Sequence, residues 1–412
     1  MPPAPTTSVI QEAVVTSITE TSAPRQGRLR LEFLDGLRGL AAFYVLLFHA
    51  RYAVAGQLDD SHLPSWFYWV SGWMQPGYYA VGVFILLSGY CLMLPVVRSA
   101  EGQLRGGALS YLKRRARRIL PPYYATLAIS LLIILLIPGM NSTAGVWWDQ
   151  TLPAFKPDVI WSHIFLVQNF SEAWQVKING VLWSVAAEWQ IYFIFPLFLL
   201  PLWRKFGVKT LVLVSFIIPF LPFLAVGGLG HRLRPWYISL FALGMAGAAI
   251  GFSQLPKDKA LRDKGRWGTF AVFCYGLFAL LWGAGFVLHN PRLWLQMRAI
   301  EIILGFATVA TIIFCARSLS TDSDARLPAV LRILDHRWVV WLGTFSYSLY
   351  LTHAPVLALL HLAARSAHFS MQAIFVLMLG VGVPLSVAVA YGFHLLFERR
   401  FMPGHLAANK VR

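Results

Sequence analysis

The chain has 412 residues, 57% of them hydrophobic and only 13% charged, with a mean hydropathy of +0.60. A soluble domain covers its surface with about 25% charged residues, so much of this surface faces something other than water. The formal net charge of +17 raises nucleic acid as a partner, but the basic residues sit in short clusters between apolar segments. That is the pattern of membrane loops and not of a nucleic-acid-binding face.

Residues 1–30 are rich in Pro, Ser and Thr and lack an apolar run. They read as a disordered cytoplasmic tail and not as a signal peptide. Beyond them, charge-poor segments of about twenty residues recur, each long enough to cross a hydrocarbon core of about 30 Å. They predict spans at 32–54, 78–97, 119–138, 180–202, 210–228, 236–253, 268–288, 297–316, 338–361 and 371–397. Their apolarity is continuous and not alternating, which makes them helices that satisfy their own backbone groups in lipid. The segment 158–170 is apolar but short, and reads as a re-entrant or interfacial piece. The expected fold class is all-α: a polytopic transmembrane helix bundle of about ten spans across 31–401.

Most of the 35 Lys and Arg fall in alternate loops, which places both termini, with a short tail at 402–412, in the cytoplasm. Two sequons, Asn141-Ser142-Thr143 and Asn169-Phe170-Ser171, share one predicted outer loop and agree with that orientation. Cys91, Cys274 and Cys315 all lie in apolar segments. They are too scattered for a disulfide framework or a zinc site, and read as packing residues; no metal is expected.

Ionisable groups inside a bilayer are expensive, so each is a functional hypothesis. The predicted spans hold Asp35, Arg38 and His49 in the first, Glu188 in the fourth, Arg298 and Glu301 in the eighth, and His353 in the ninth. Arg38 and His49 are eleven residues apart, which returns to within about 20° of one helix face some 16 Å further along the axis. The pair is predicted to line one solvent-filled path. By position in their helices, His49, His353, Glu188 and Glu301 should all fall in the outer half of the membrane. A histidine beside a carboxylate is a general base with its orienting partner, the pairing that activates a hydroxyl for acyl transfer. Ser184, Glu188 and Tyr192 follow at i, i+4, i+8 on one face, within reach of one another.

Blander readings compete. An intramembrane histidine is more often a helix–helix hydrogen-bond partner than a catalyst. Arg298 and Glu301, at i, i+3, can neutralise one another, and Asp35 can be a helix N-terminal charge or a partner of Arg38. The run Lys113-Arg114-Arg115-Ala116-Arg117-Arg118 is first a topology signal, though it also suits an anionic cytosolic donor. On these residues alone, enzyme and transporter both stand.

Six stretches resemble one family in its own order. Leu34-Asp35-Gly36-Leu37-Arg38-Gly39-Leu40 through Phe48-His49 resembles the opening helix of the acyltransferase 3 family, an Arg, ten residues, then a His. Gly82-Val83-Phe84-Ile85-Leu86-Leu87-Ser88-Gly89-Tyr90 resembles its second-helix motif, and Arg117-Arg118-Ile119-Leu120-Pro121-Pro122-Tyr123 the basic loop entering the third helix. Trp183-Ser184-Val185-Ala186-Ala187-Glu188-Trp189-Gln190-Ile191-Tyr192 is similar to its Trp-Ser…Glu…Tyr segment. Gly343-Thr344-Phe345-Ser346-Tyr347-Ser348-Leu349-Tyr350-Leu351-Thr352-His353 resembles the penultimate-helix motif, and Phe397-Glu398-Arg399-Arg400-Phe401 the closing Glu-Arg.

The resemblance implies an integral membrane enzyme that takes an acyl group, usually acetyl, from a cytosolic acyl-CoA and passes it to a hydroxyl of a sugar, lipid or small molecule. It gives His49 the role of catalytic histidine, Arg38 that of donor-side arginine, and Glu188 that of the acidic residue of the Trp-Ser…Glu motif. Arg114, Arg117 and Arg118 would help Arg38 hold the donor's phosphates. Glu188 would orient His49 or stabilise its imidazolium, with Asp35, Ser184, Tyr192, Tyr350, His353, Arg298 and Glu301 as surrounding or substrate-side groups. Two departures stand out. Bacterial members often add a further helix and an extracytoplasmic hydrolase-like domain, so a chain of ten spans is expected to recognise its acceptor with membrane and loop residues alone. Many relatives also follow the glutamate with a second acidic residue, where this chain has Trp189. The rival class is a transporter or acyl-group carrier, with Arg38 and His49 along a permeation path and Arg298–Glu301 as a gate.

Overall fold

The computed structural model of the chain describes residues 31–55, 63–99, 101–143, 146–218, 233–288, 297–320 and 327–402. The tail predicted at 1–30, nearly all of that at 402–412, and the second half of the span predicted at 210–228 lie outside these residues. Among the described residues every regular element is helical. The main helices are α1 Glu32–Ala55, α2 Ala80–Val97, α3 Gly107–Leu136, α4 Leu182–Ile194, α5 Leu200–Ile217, α6 Trp236–Phe252, α7 Trp267–Val287, α8 Met297–Ser320, α9 Arg337–Thr344, α10 Ser346–Ser366 and α11 Val383–Phe393.

Eight described helical runs are long and apolar enough to cross a membrane, or nine if α6 and the helix Pro256–Lys264, bent by 91°, count as one span. The difference from ten has a local cause. The run from Leu182 to Ile217 counts once, yet Gly207 inside it has φ 80° and ψ −177°. That left-handed conformation is open to glycine at little cost, so the chain breaks there, between the spans predicted at 180–202 and 210–228. The span predicted at 338–361 is likewise two helices, with Phe345 (φ −124°, ψ 22°) between α9 and α10. At 158–170 the helix covers only Pro157–Ile164, about 12 Å long. It is too short to cross, as expected of an interfacial piece.

The helices pack in a chain of neighbours, α7 on α8, α8 on α6, α6 on α2, α2 on α1, and α1 against both α9 and α10. Small residues set the order. The centrally placed α6 carries Gly244, Ala246, Gly247, Ala248 and Ala249, all buried, and such residues let backbones approach where no hydrophobic force separates protein from lipid. The rim helix α7 is the opposite, with Val272 72% exposed and Phe273 and Leu280 close behind; these side chains face hydrocarbon.

The α1–α9 contact fixes the site. A Cβ at Gly343 would lie 1.9 Å from the Asp35 carbonyl oxygen, and one at Gly36 would lie 1.9 Å from that of Leu334. Both clashes are with backbone, which cannot swing aside. Gly343→Val is therefore expected to destabilise the folded protein by about 1–3 kcal/mol and to displace the turn bearing Asp35 and Arg38. Detergent size-exclusion profiles before and after heating would show it as an earlier loss of the monodisperse peak.

Candidate active site

Helix α1 carries Arg38 and His49 into two different cavities. Arg38 lines the first with Arg115 and Arg118 of α3, Glu188 and Tyr192 of α4, and Glu398 near the end of the chain; its interior is about 150 Å³. His49 lines the second, of about 470 Å³, with Phe48, Tyr52, Tyr78, Trp183 and Arg234. Val81 and Tyr350 line both. The single path expected from helical spacing is thus two chambers, one basic and one aromatic, abutting at this pair of side chains. Helical spacing puts both residues on the cavity side of α1, and Tyr350, from α10, stands between them.

Three contacts define His49. Its Nδ1 lies 3.0 Å from the Val45 carbonyl and 3.1 Å from His353 Nε2, and His353 Nδ1 lies 2.9 Å from the Leu349 carbonyl. A carbonyl only accepts, so His353 Nδ1 carries the proton, and a neutral His353 presents a bare Nε2. His49 Nδ1 must then be the donor to both Val45 and His353. The lone pair of His49 is left on Nε2, which has no hydrogen-bond partner among the described residues. Both rings are held by helix backbone four residues earlier, and Trp147 packs 6.2 Å from His49.

Glu188 stands elsewhere. Tyr192 donates to its Oε1 at 2.6 Å, and Ser88 exchanges a 3.1 Å hydrogen bond with the Tyr192 hydroxyl. The i, i+4 reading of this face holds, but the carboxylate serves the basic cavity and is not the partner of His49. The start of α4 explains why. Ser184 exchanges a 2.5 Å hydrogen bond with Tyr350, which also donates to the Val181 carbonyl at 3.0 Å. With Ser184 already at the wall between the chambers, Glu188, one turn on, falls on the Arg38 side. Of the four groups expected in the outer half of the membrane, only His49 and His353 are brought together.

The remaining candidates separate cleanly. Asp35 is the partner of Arg38, at 3.5 Å. Arg118 faces the basic cavity, whereas Arg117 is exposed and the exposed Arg114 donates to Ser110 Oγ at 2.6 Å and the Arg105 carbonyl at 2.9 Å. Glu301 is buried and accepts from Trp236 Nε1 at 2.7 Å, while Arg298 lies over the Trp236 ring at 5.1 Å. The indole stands where a direct pair was expected, and neither residue lines either cavity. Asn169 is fully buried and paired with Gln190, donating at 3.2 Å and accepting at 2.8 Å, so its sequon carries no topological information.

Several site residues escaped the sequence reading. Arg115 was visible in principle: Ile119, Pro122, Thr126 and Ser130 are the buried face of α3, and projecting that face back reaches residue 115. Glu398 accepts from Ser348 at 2.5 Å and bonds His394 Nδ1 at 2.9 Å, closing the basic cavity from the last helix. Arg234, just before α6, joins the lining of the aromatic cavity.

The site therefore belongs to a helical membrane protein with an arginine-bearing chamber, which Asp35, Glu188 and Glu398 also line, and a histidine-bearing chamber back to back. The family model described as an acyltransferase domain, that of the acyltransferase 3 family, matches residues 31–394, and the chain belongs to this family. It is similar to the peptidoglycan O-acetyltransferase OatA of Listeria monocytogenes serovar 1/2a, 24% identical over 361 residues, covering 81% of this chain and 50% of that protein. It is also similar to the O-acetyltransferase OatA of Staphylococcus aureus (strain NCTC 8325 / PS 47), 23% identical over 344 residues, covering 79% and 50%. The chain spans about half the length of the curated relatives it matches. No solved structure matches it.

Proposed function

We propose that this chain is a membrane O-acyltransferase that moves an acetyl group from acetyl-CoA, bound from the basic cavity, to a hydroxyl held in the aromatic cavity. The observation that carries the reading is the protonation pattern at His49: Nδ1 is committed to Val45 and His353, so Nε2 is free as a base in the chamber that adjoins the basic one. In the step proposed, His49 Nε2 takes the acceptor's O–H proton as the oxygen attacks the thioester carbonyl. The carbon–sulfur bond breaks, and the proton passes to the leaving CoA sulfur. His353 Nε2 accepts a hydrogen bond from the imidazolium that forms between these events.

Supporting the donor side, Arg38, Arg115 and Arg118 converge on one cavity, and guanidinium forks match phosphate oxygens. The narrow interior suits an extended thioester arm with the nucleotide at its mouth. Positive-inside logic puts that mouth on the cytosolic face, where acyl-CoA is found. Replacing Arg38 or Arg118 by Gln is expected to raise KM for acetyl-CoA roughly tenfold and to leave KM for the acceptor unchanged; initial-rate titrations of each substrate check this. The activity itself is tested with purified chain, labelled acetyl-CoA and candidate acceptors in detergent. CoA released in step with an acetylated acceptor supports the reading; solute movement in vesicles without thioester cleavage overturns it.

A further inference from the structure

Arg234 is the feature of the aromatic cavity that the transfer chemistry leaves unused. Its guanidinium carbon lies 4.0 Å from the Trp183 ring centroid, 5.2 Å from that of Tyr78, and 5.9 Å from those of Trp236 and Tyr237. Of its five N–H donors, Nη1 donates to the Tyr237 hydroxyl at 3.4 Å and another bonds the Tyr78 hydroxyl. Among the described residues Arg234 makes no ion pair. Glu301 attracts it from beyond ion-pair distance, with Oε2 accepting from Trp236 Nε1, but this carboxylate does not line the cavity.

A cation held among aromatic rings at a cavity wall, with its nearest carboxylate outside that cavity, is only partly compensated, and the rings fix its position without neutralising it. The cost falls if the ligand brings the anion. A planar guanidinium with free donors is matched to a carboxylate or a phosphate, which it holds by paired hydrogen bonds. His49 lines the same cavity, so one ligand can reach both. Phe48, Tyr52 and Tyr78 offer apolar faces to its body, and Gln150 adds an amide to the lining.

We propose that the acceptor carries an acidic group, a carboxylate or a phosphate ester, which Arg234 holds while the hydroxyl to be acylated sits at His49 Nε2. This rests on the reading that an acceptor hydroxyl occupies the aromatic cavity. Arg234 is then a specificity-determining residue: it selects and positions, and His49 reacts.

The test uses the purified full chain in detergent, [14C]acetyl-CoA, and an extract of the source cells' small molecules, glycans and lipids. Unspent acetyl-CoA is removed on charcoal, free labelled acetate is driven off as acetic acid under vacuum, and the remaining labelled products are passed over an anion exchanger at neutral pH. Label retained on the exchanger is the expected result, and phosphatase treatment tells the sources apart: a phosphate monoester moves to the unretained fraction and a carboxylate stays. Label in the unretained fraction without treatment overturns the proposal. Label in no fraction overturns the acyltransferase reading itself. With the retained product purified in deacetylated form, Arg234→Gln is expected to raise acceptor KM tenfold or more while KM for acetyl-CoA stays within twofold. Arg234→Lys should fall between the two, because it keeps the charge and loses the fork. An unchanged acceptor KM in Arg234→Gln, or equal rises in both constants, contradicts the assignment, and the charge of the wild-type product decides the matter even where a variant does not fold.

Discussion

His49→Ala is expected to lower acetyl transfer by roughly 10²- to 10⁴-fold, the usual worth of a positioned general base, with the protein still inserted and monodisperse. The argument is local. Only Nε2 of this ring lacks a partner among the described residues, and no other described histidine or carboxylate combines a bare basic atom with a place on the aromatic cavity wall. Alanine leaves α1 intact, because the helix holds itself by packing of Val45, Leu46, Ala50 and their neighbours and not by the imidazole. Acceptor-dependent CoA release from labelled acetyl-CoA is the assay. Turnover within a few-fold of wild type would remove His49 from the chemistry.

The second large effect is expected at His353, and it should be smaller. Replacing it by Phe takes away the acceptor that His49 Nδ1 faces at 3.1 Å, both in the resting state and when the ring is charged. The Val45 carbonyl, at 3.0 Å, still favours the same tautomer, so the loss is expected near 10²-fold, the scale of an orienting partner whose removal leaves the base in place. It should appear in kcat and not in KM for acetyl-CoA. His353→Gln restores an acceptor oxygen and is expected to recover part of the rate. A His353→Phe enzyme as fast as wild type, or a Gln variant no better than Phe, would contradict the relay between the two rings.

The bundle was legible because lipid imposes one rule, an apolar run of sufficient length, and that rule is written locally in the chain. It failed where geometry turns on a single residue: Gly207 breaks one apolar stretch and Phe345 another, and neither changes the hydropathy around it. Arg38 and His49 were legible through the cost of burying them. Their separation into two chambers was not, because the wall is built by Tyr350 and Val81 from two other helices. Pairing was the least readable level. Glu188 was matched to His49 by depth alone, and a difference of one helical turn, about 5 Å, sends it to the other cavity. His353, 304 positions away from His49 in the chain, has no local mark that it would be the partner.

Placement of the donor tests the account most directly. A cryo-EM map of the protein with bound acetyl-CoA is expected to put the phosphates against Arg38, Arg115 and Arg118 and the thioester carbon at the Val81–Tyr350 wall, within reach of a hydroxyl at His49 Nε2. Phosphates in the aromatic cavity, or a thioester arm lying along the lipid-facing surface away from Tyr350, would contradict it.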